Sequence, residues 1–355
     1  MNARIYLDWN ASAPLRPEAR AAMTAAMELC ANPSSVHAEG RAARMCIEAA
    51  REDVAALVGC APDEVIFTSG ATEAAALRLS DIPDLVGAPL EHAAVRAHLG
   101  RLSGTPALAV DAQGRAVRVA GPHPVALQIA NSETGVIQPV AEDAPVWFAD
   151  ATQAAGKIPF AFDARVQDSA IVSAHKFGGP KGAGALILRA GVHIAQPGGG
   201  QELGRRAGTE NLIGIAGMGA AARAAKSDLD AGVWDGVRAL RDHLETRLEQ
   251  AGEGIIFVGY DAARLPNTSL FLAPGWRGEL QVMQMDLAGF AVSAGSACSS
   301  GKAGPIGALS AMGIPDDLAG CALRVSLGPA TTAAQIDAFA DAWTHAFRRR
   351  AVRAA

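Results

Sequence analysis

The sequence predicts an α/β protein, in which helices sandwich a sheet and a smaller α+β unit follows. Three observations carry this. Strand-like and helix-like segments alternate along most of the 355 residues. Half of the residues are hydrophobic and 19% are charged, so the chain can bury a sizeable core. After Gly252 the rhythm changes to short strands interleaved with helices. At roughly 150 residues per domain the length suggests two units. The expected division is a large unit over residues 13–252 and a smaller one from residues 1–12 and 253–355.

The elements follow in order. Pro17 opens a helix reaching about residue 30, since proline is tolerated at a helix's first turn. Residues 37–58 interleave charges with apolar positions at helical spacing and predict a long amphipathic helix. Residues 64–68 (EVIFT) predict a strand that ends at Ser69 and Gly70. Further strands are expected over 108–110, 125–130, 146–149, 170–173 and 183–188, and helices over 211–225 and 233–250. In the smaller unit, strands are expected at 255–258 and 268–272, then a helix at 279–287, another short strand, a Gly/Ser/Cys loop and a last helix from Thr332.

Composition excludes several classes of function. The net charge is −5, so there is no basic excess to neutralise phosphates and nucleic acid is not an expected partner. No apolar run follows Arg4, so no signal peptide is expected. The longest apolar run, residues 212–222, is too short to span a bilayer, so no membrane association is expected. Five widely spaced cysteines without a C-x-x-C pair disfavour a disulfide framework and a zinc finger; no metal site and a cytoplasmic location are the expectations.

In open α/β sheets, ligands gather outside the carboxyl ends of the strands. Four such ends carry unusual chemistry here. In FTSGATE a strand turns at Ser69 and Gly70 into a helix beginning at Ala71 and Thr72, a potential anion cradle. An ordinary helix cap explains that fragment equally well on its own. In FADATQAAGK, Asp150 emerges from an apolar strand, where a carboxylate needs a cationic partner such as a protonated ring nitrogen; Gln153 follows three residues on. A helix-capping role for Asp150 has comparable weight in isolation. In IVSAHKFGGPKGAGAL, Ser173, His175 and Lys176 stand just past an apolar strand. Partial desolvation there would make Lys176 a usable amine for a Schiff base. In SAGSACSSGK, Cys298 sits among small residues, in a loop expected to be exposed and mobile with its thiol accessible. Cys30, Cys46, Cys60 and Cys321 fall in or beside apolar segments and read as small buried hydrophobes. A phosphate cradle, a carboxylate for a pyridinium nitrogen and a Schiff-base lysine are together the parts that pyridoxal 5′-phosphate requires.

The chain also resembles the group I cysteine desulfurases, which belong to the class V aminotransferase group of fold-type I pyridoxal-phosphate enzymes. The resemblance runs through YLDWNASAP, NPSSVHAEGRAAR, FTSGATE, Glu91-His92, NSETGVIQP, DATQAAGK, SAHKFGGPKGAGAL, PGGGQELGRRAGTEN, SAGSACSSGK and LRVSLG. It implies a large domain with a mainly parallel seven-stranded sheet and a smaller C-terminal α+β domain. It implies conversion of L-cysteine to L-alanine with a persulfide on Cys298, and sulfur delivery to an acceptor protein for iron–sulfur cluster or other sulfur-cofactor assembly.

Residue by residue, the resemblance implies that Lys176 bonds the cofactor and moves the substrate α-proton. Asp150 would pair with the ring nitrogen, Gln153 and Ser132 would contact the ring's phenolic oxygen, and His92 would stack on the ring and transfer protons. Ala71, Thr72, Ser173 and His175 would hold the phosphate. Thr209 would reach the neighbouring subunit's phosphate, implying a homodimer. Arg324 would grip the substrate carboxylate, with help from Asn32. Two departures stand out. Ser132 occupies a position where an asparagine amide is frequent, and residues 77–125 are shorter than usual, as though a helix and part of an edge strand were trimmed. Two other readings are a related lyase or aminotransferase, such as a selenocysteine lyase, and a non-catalytic scaffold for sulfur transfer.

Overall fold

The computed structural model describes residues 4–100, 107–117, 122–139, 146–194, 199–294 and 307–354. Its main sheet has the strand order Val65–Thr68, Gly184–Leu188, Ser169–Ser173, Phe148–Asp150, Ala126–Gln128. Gly184–Leu188 runs antiparallel to both neighbours, and the remaining strands are mutually parallel. A parallel bridge between Val86 and Val125 extends the sheet beyond Ala126–Gln128. Against the seven strands expected, the described residues therefore hold five paired strands and one bridge. The bridge falls within the shortened stretch at 77–125.

These strands are apolar on both sides because both faces are covered. Alternate side chains separate into two cores. Val65, Phe67, Ala149, Ala170, Val172, Ala185 and Ile187 meet the helices Pro17–Met27, Ala38–Val58 and Leu212–Asp230. Ile66, Phe148, Ile171, Leu186 and Leu188 meet the helix Ala71–Leu79. The Gly/Ala-rich run at 212–222 now has a physical reason: a Cβ on Gly219 would lie 2.5 Å from the Cα of Ala50, so the two long helices touch backbone to backbone.

Helix ends agree with the expected signals. His37 caps Ala38–Val58 by accepting the Gly40 N–H, and left-handed Gly59 closes it. The helix expected to stop at 225 instead continues to Asp230, because Ala225 is still buried against the first core and nothing helix-breaking intervenes. Ala109–Val110 is not a sheet strand but half of a small antiparallel ribbon with Ala116–Val117. Its turn is held by Asp111, which accepts the Gln113 and Arg115 N–H groups.

Toward the C-terminus a second sheet places Thr268–Leu272 between Ala322–Ser326 and Ile256–Phe257, all antiparallel. Phe271, Trp276, Phe339 and Trp343 fill its core, with Phe271 edge-on to Trp343 at 5.3 Å between centroids. The helix Val233–Glu249 contributes Trp234, Val237, Leu244 and Leu248 to that same core. So does the N-terminus: Ile5–Tyr6 pairs parallel with Phe290–Ala291, and Leu7 is fully buried there. The chain then crosses from this second core to the main sheet, where the Ala13 N–H meets the His175 carbonyl at 2.8 Å. That crossing puts residues 8–13 beside the carboxyl ends of the parallel strands.

Candidate active site

A cavity of about 450 Å³ lies at those strand ends. Its lining includes Ala71, Thr72, His92, Ser132, Asp150, Gln153, Ser173, His175, Lys176 and Arg324. Ten of the residues singled out from the sequence thus meet in one place, although they come from segments spread over some 250 positions.

Each is delivered by its element. Val65–Thr68 ends at Ser69, and the helix starting at Ala71 directs its first-turn N–H groups to the cavity. The close approach needs glycine, because a Cβ on Gly184 would come within 2.6 Å of the Gly70 Cα. Phe148–Asp150 ends on a buried carboxylate whose Oδ1 accepts the Thr152 N–H at 2.9 Å. Ser169–Ser173 runs into a short 3-10 turn, Ala174–Lys176, that presents Ser173, His175 and Lys176. His92 caps a one-turn helix, its Nδ1 accepting the Ala94 N–H at 3.2 Å.

Hydrogen bonds hold the polar groups. Lys176 Nζ donates to the carbonyls of Asn10 at 2.7 Å and Ala11 at 3.0 Å. Gln153 Nε2 donates to the same Asn10 carbonyl at 3.0 Å. Arg324 is only 3% exposed; its Nη2 donates to Asp8 Oδ1 at 2.7 Å and its Nη1 to the Ser132 carbonyl at 3.1 Å. Three buried polar atoms at or beside the cavity, Thr152 Oγ1, Glu91 Oε1 and Arg324 Nε, have no hydrogen-bond partner among the described residues.

The electrostatics are uneven. Burial, with the positive charges of Lys176, Lys181 and Lys157, lowers the His175 pKa to about 4. Burial, reinforced by the negative charge of Asp150, raises that of Glu91 well above the carboxylate range. Two carboxylates, Glu73 and Asp150, line the cavity itself.

The His175 shift has a testable sign. Between about pH 4 and 6.5 the unfolded chain binds a proton that the folded chain does not. Stability therefore rises with pH across that window and is lost as the pH falls through it. His175→Gln is expected to weaken this dependence. Urea titrations at mildly acidic and neutral pH should show a smaller acid-induced loss in the variant than in the parent.

Two predicted residues lie elsewhere. Thr209 is exposed on the segment before Leu212–Asp230. That segment is tied to the sheet by the buried Glu202, which accepts from Arg51 Nη1 at 2.9 Å and the Phe67 N–H at 2.8 Å. Asn32 is also exposed, its Oδ1 accepting the Ser34 N–H at 2.8 Å. Cys298 lies outside the described residues. The stem before it does not: the N–H and carbonyl of Ser293 pair with the Arg324 backbone, and Ser293 Oγ donates to Asp8. Sequence reasoning assigned no role to Asn10, Ser12, Thr152 and Lys181, which also line the cavity. All four do belong to motif stretches, Asn10 and Ser12 to YLDWNASAP, Thr152 to DATQAAGK and Lys181 to SAHKFGGPKGAGAL, which is the signal that could have found them.

Comparison with known proteins agrees with this arrangement. The family model for class V aminotransferases matches residues 5–96 and 107–339. A cysteine desulfurase of Cereibacter sphaeroides is 43% identical over 94% of this chain and 93% of its own length. A protein named cysteine desulfurase IscS in Dictyoglomus turgidum is 36% identical over 94% and 91%. Among solved structures, a NifS-like protein superposes with a TM-score of 0.86 at 31% identity, covering 97% of this chain and 99% of that one. A protein titled SspA in complex with cysteine gives a TM-score of 0.75 at 26% identity, over 92% of this chain and 100% of that one. Motifs, fold and relatives coincide, and the chain belongs to the class V aminotransferase family as a group I cysteine desulfurase.

Proposed function

We propose that this cavity binds pyridoxal 5′-phosphate and that the chain converts L-cysteine to L-alanine, leaving the sulfur as a persulfide on Cys298. The observation that carries the reading is that a lysine amine, a buried carboxylate and a helix N-terminus line a single cavity.

The donor set suits the cofactor. First-turn N–H groups at Ala71 and Thr72, with Ser173 and His175, suit a phosphate. The partnerless, buried Thr152 hydroxyl in the cavity wall offers a further hydrogen bond. Asp150 suits a protonated ring nitrogen, Gln153 and Ser132 the phenolic oxygen, and His92 a ring face. When bound, pyridoxal phosphate supplies an aldehyde that captures amino groups and a ring that draws electrons from the substrate α-carbon.

The chain's own residues do the rest. Lys176 Nζ would anchor the cofactor and carry the proton from the substrate α-carbon. Asp150 would face the ring nitrogen and favour its protonated form. His92 would transfer a proton at the ring face. Arg324 binds the substrate carboxylate through its planar fork. Cys298 attacks the substrate sulfur. The S–S bond forms as the C–S bond breaks, and the carbon keeps the electron pair and takes up a proton. L-Cysteine and a thiol thus become L-alanine and a persulfide without an outside oxidant. Cys298 is five residues from Ser293, so the chain can extend it by at most roughly 18 Å from that anchored stem.

The persulfide is then delivered to an acceptor protein, in iron–sulfur or other sulfur-cofactor assembly. The working unit is a homodimer in which Thr209 reaches the neighbouring site, and the compartment is the cytoplasm. Among the described residues no helix is long and apolar enough to cross a membrane.

Arg324→Lys tests the carboxylate contact. It keeps the charge and loses the fork, so KM for L-cysteine should rise about 10- to 100-fold, with kcat changing less. An unchanged KM would place the carboxylate elsewhere. The overall reading is tested by loading the protein with pyridoxal phosphate, adding L-cysteine with a thiol reductant, and quantifying products. Equal amounts of alanine and sulfide are expected. A keto acid, turnover of selenocysteine only, or no product would favour the lyase, aminotransferase or scaffold readings, which the cysteine desulfurase relatives do not favour.

A further inference from the structure

Lys157 closes the DATQAAGK stretch and has no part in the chemistry above. It is 3% exposed and lies beneath the cavity rather than in its lining. Its Nζ donates to Asn10 Oδ1 at 3.0 Å and to Gln153 Oε1. Among the described residues no carboxylate lies within ion-pair distance of it, whereas Lys176 and Arg324 are near enough to oppose its charge. Burial, together with those two cations, holds its pKa well below the ordinary lysine value, which favours the neutral amine. Two acceptors, both uncharged amide oxygens, meet the amine.

Those two acceptors belong to the groups that set the cavity's spacing. The Asn10 carbonyl receives both Lys176 Nζ and Gln153 Nε2. Asn10 Nδ2 donates to the Ser132 carbonyl at 3.2 Å, which also receives Arg324. Carbonyls only accept, so the amide nitrogens of Asn10 and Gln153 must face them, and both amide oxygens must turn toward Lys157. Asn10 Oδ1 has a second donor, Asn267 Nδ2, at 3.0 Å. Gln153 Oε1 has no other donor among the hydrogen bonds described, so it loses most if the amine is removed.

We propose that Lys157 is a positioning residue that locks the Gln153 amide and, through Asn10, keeps Lys176 and Arg324 at a fixed spacing across the cavity. The proposal rests on the reading of the cavity as the cofactor site, and its test begins without cofactor. Lys157→Met preserves the length of the side chain and removes both donors; Lys157→Gln restores a donor. In cofactor-free protein, the Gln153 side-chain amide NMR pair, assigned by its disappearance in Gln153→Ala, should move in Lys157→Met and return toward its parent position in Lys157→Gln. In cofactor-loaded protein, Lys157→Met should shift the visible absorbance maximum and lower kcat/KM about 10-fold, and both changes should shrink when Gln153→Ala is already present, leaving only the part carried through Asn10. An unmoved Gln153 amide in folded Lys157→Met, or identical Met and Gln variants, would overturn the proposal. A shift that persists in full on the Gln153→Ala background would do the same. If Lys157→Met does not fold, 15N relaxation of the Gln153 side-chain amide in the parent protein decides, with an amide as rigid as the backbone counting for the proposal and a freely mobile one counting against it. A parent protein that takes up no pyridoxal phosphate would instead contradict the cofactor reading, and the NMR result would stand apart from it.

Discussion

Lys176→Ala is expected to lower alanine production from L-cysteine by about a thousandfold or more, since it removes both the covalent anchor and the proton carrier. The variant should still fold. Lys176 is part-buried, and its Nζ donates to the Asn10 and Ala11 backbone carbonyls at the cavity edge. It should also still take up pyridoxal phosphate, because the anion cradle at Ala71, Thr72, Ser173 and His175 and the ring partner Asp150 are untouched. Bound cofactor should now leave on dialysis, whereas the parent keeps its visible absorbance. Restored turnover with an added small alkylamine would strengthen the assignment. Parent-like rates without any amine would show that another group does this work, and Lys181, which also lines the cavity, would be the first to examine.

Cys298→Ala is expected to separate binding from sulfur transfer. Cofactor uptake and the spectral response to L-cysteine should persist, because none of the described groups lining the cavity changes. Alanine and sulfide formation should fall by about a thousandfold, the scale on which loss of a nucleophile is felt. Desulfuration at the parent rate would remove the thiol from the mechanism and point toward a lyase. Combined with Lys176→Ala, the second substitution should add little, since both residues serve one reaction path.

Most of the site could be read from the sequence because its chemistry sits where strands end. Asp150 and Ser173 each terminate an apolar run, and Ala71 follows a Ser-Gly turn. Apolar periodicity locates such ends without tertiary knowledge. Asn10 and Lys157 could not be read in this way. Asn10 gains its place from the pairing of Ile5–Tyr6 with Phe290–Ala291, a contact across more than 280 residues. No local pattern encodes it. Lys157 looks like a surface lysine in sequence, and only the tertiary fold makes it nearly inaccessible. Two features of the fold escaped for related reasons. Ala109–Val110 is too short for periodicity to reveal whether it joins the sheet or pairs in its own ribbon. The helix Leu212–Asp230 outruns its expected end because tertiary packing, rather than local propensity, decides where it stops.

The structure also gives the Ser132 departure a meaning. What this position contributes in the folded chain is its backbone carbonyl, which holds Asn10 Nδ2 and Arg324 Nη1. A serine provides that carbonyl as well as an asparagine would. The side-chain difference therefore bears on the ring contact and leaves the placement of Arg324 intact.

The most direct measurement is a single turnover of the cofactor-loaded protein with one equivalent of L-cysteine, without reductant or acceptor. Intact-mass and peptide mass spectrometry would then be set against the alanine released. The account predicts one alanine per chain converted and a gain of one sulfur atom on the peptide containing Cys298, reversed by a thiol. Alanine formed with the sulfur free in solution and Cys298 unmodified would contradict it, as would a sulfur atom carried on any other cysteine.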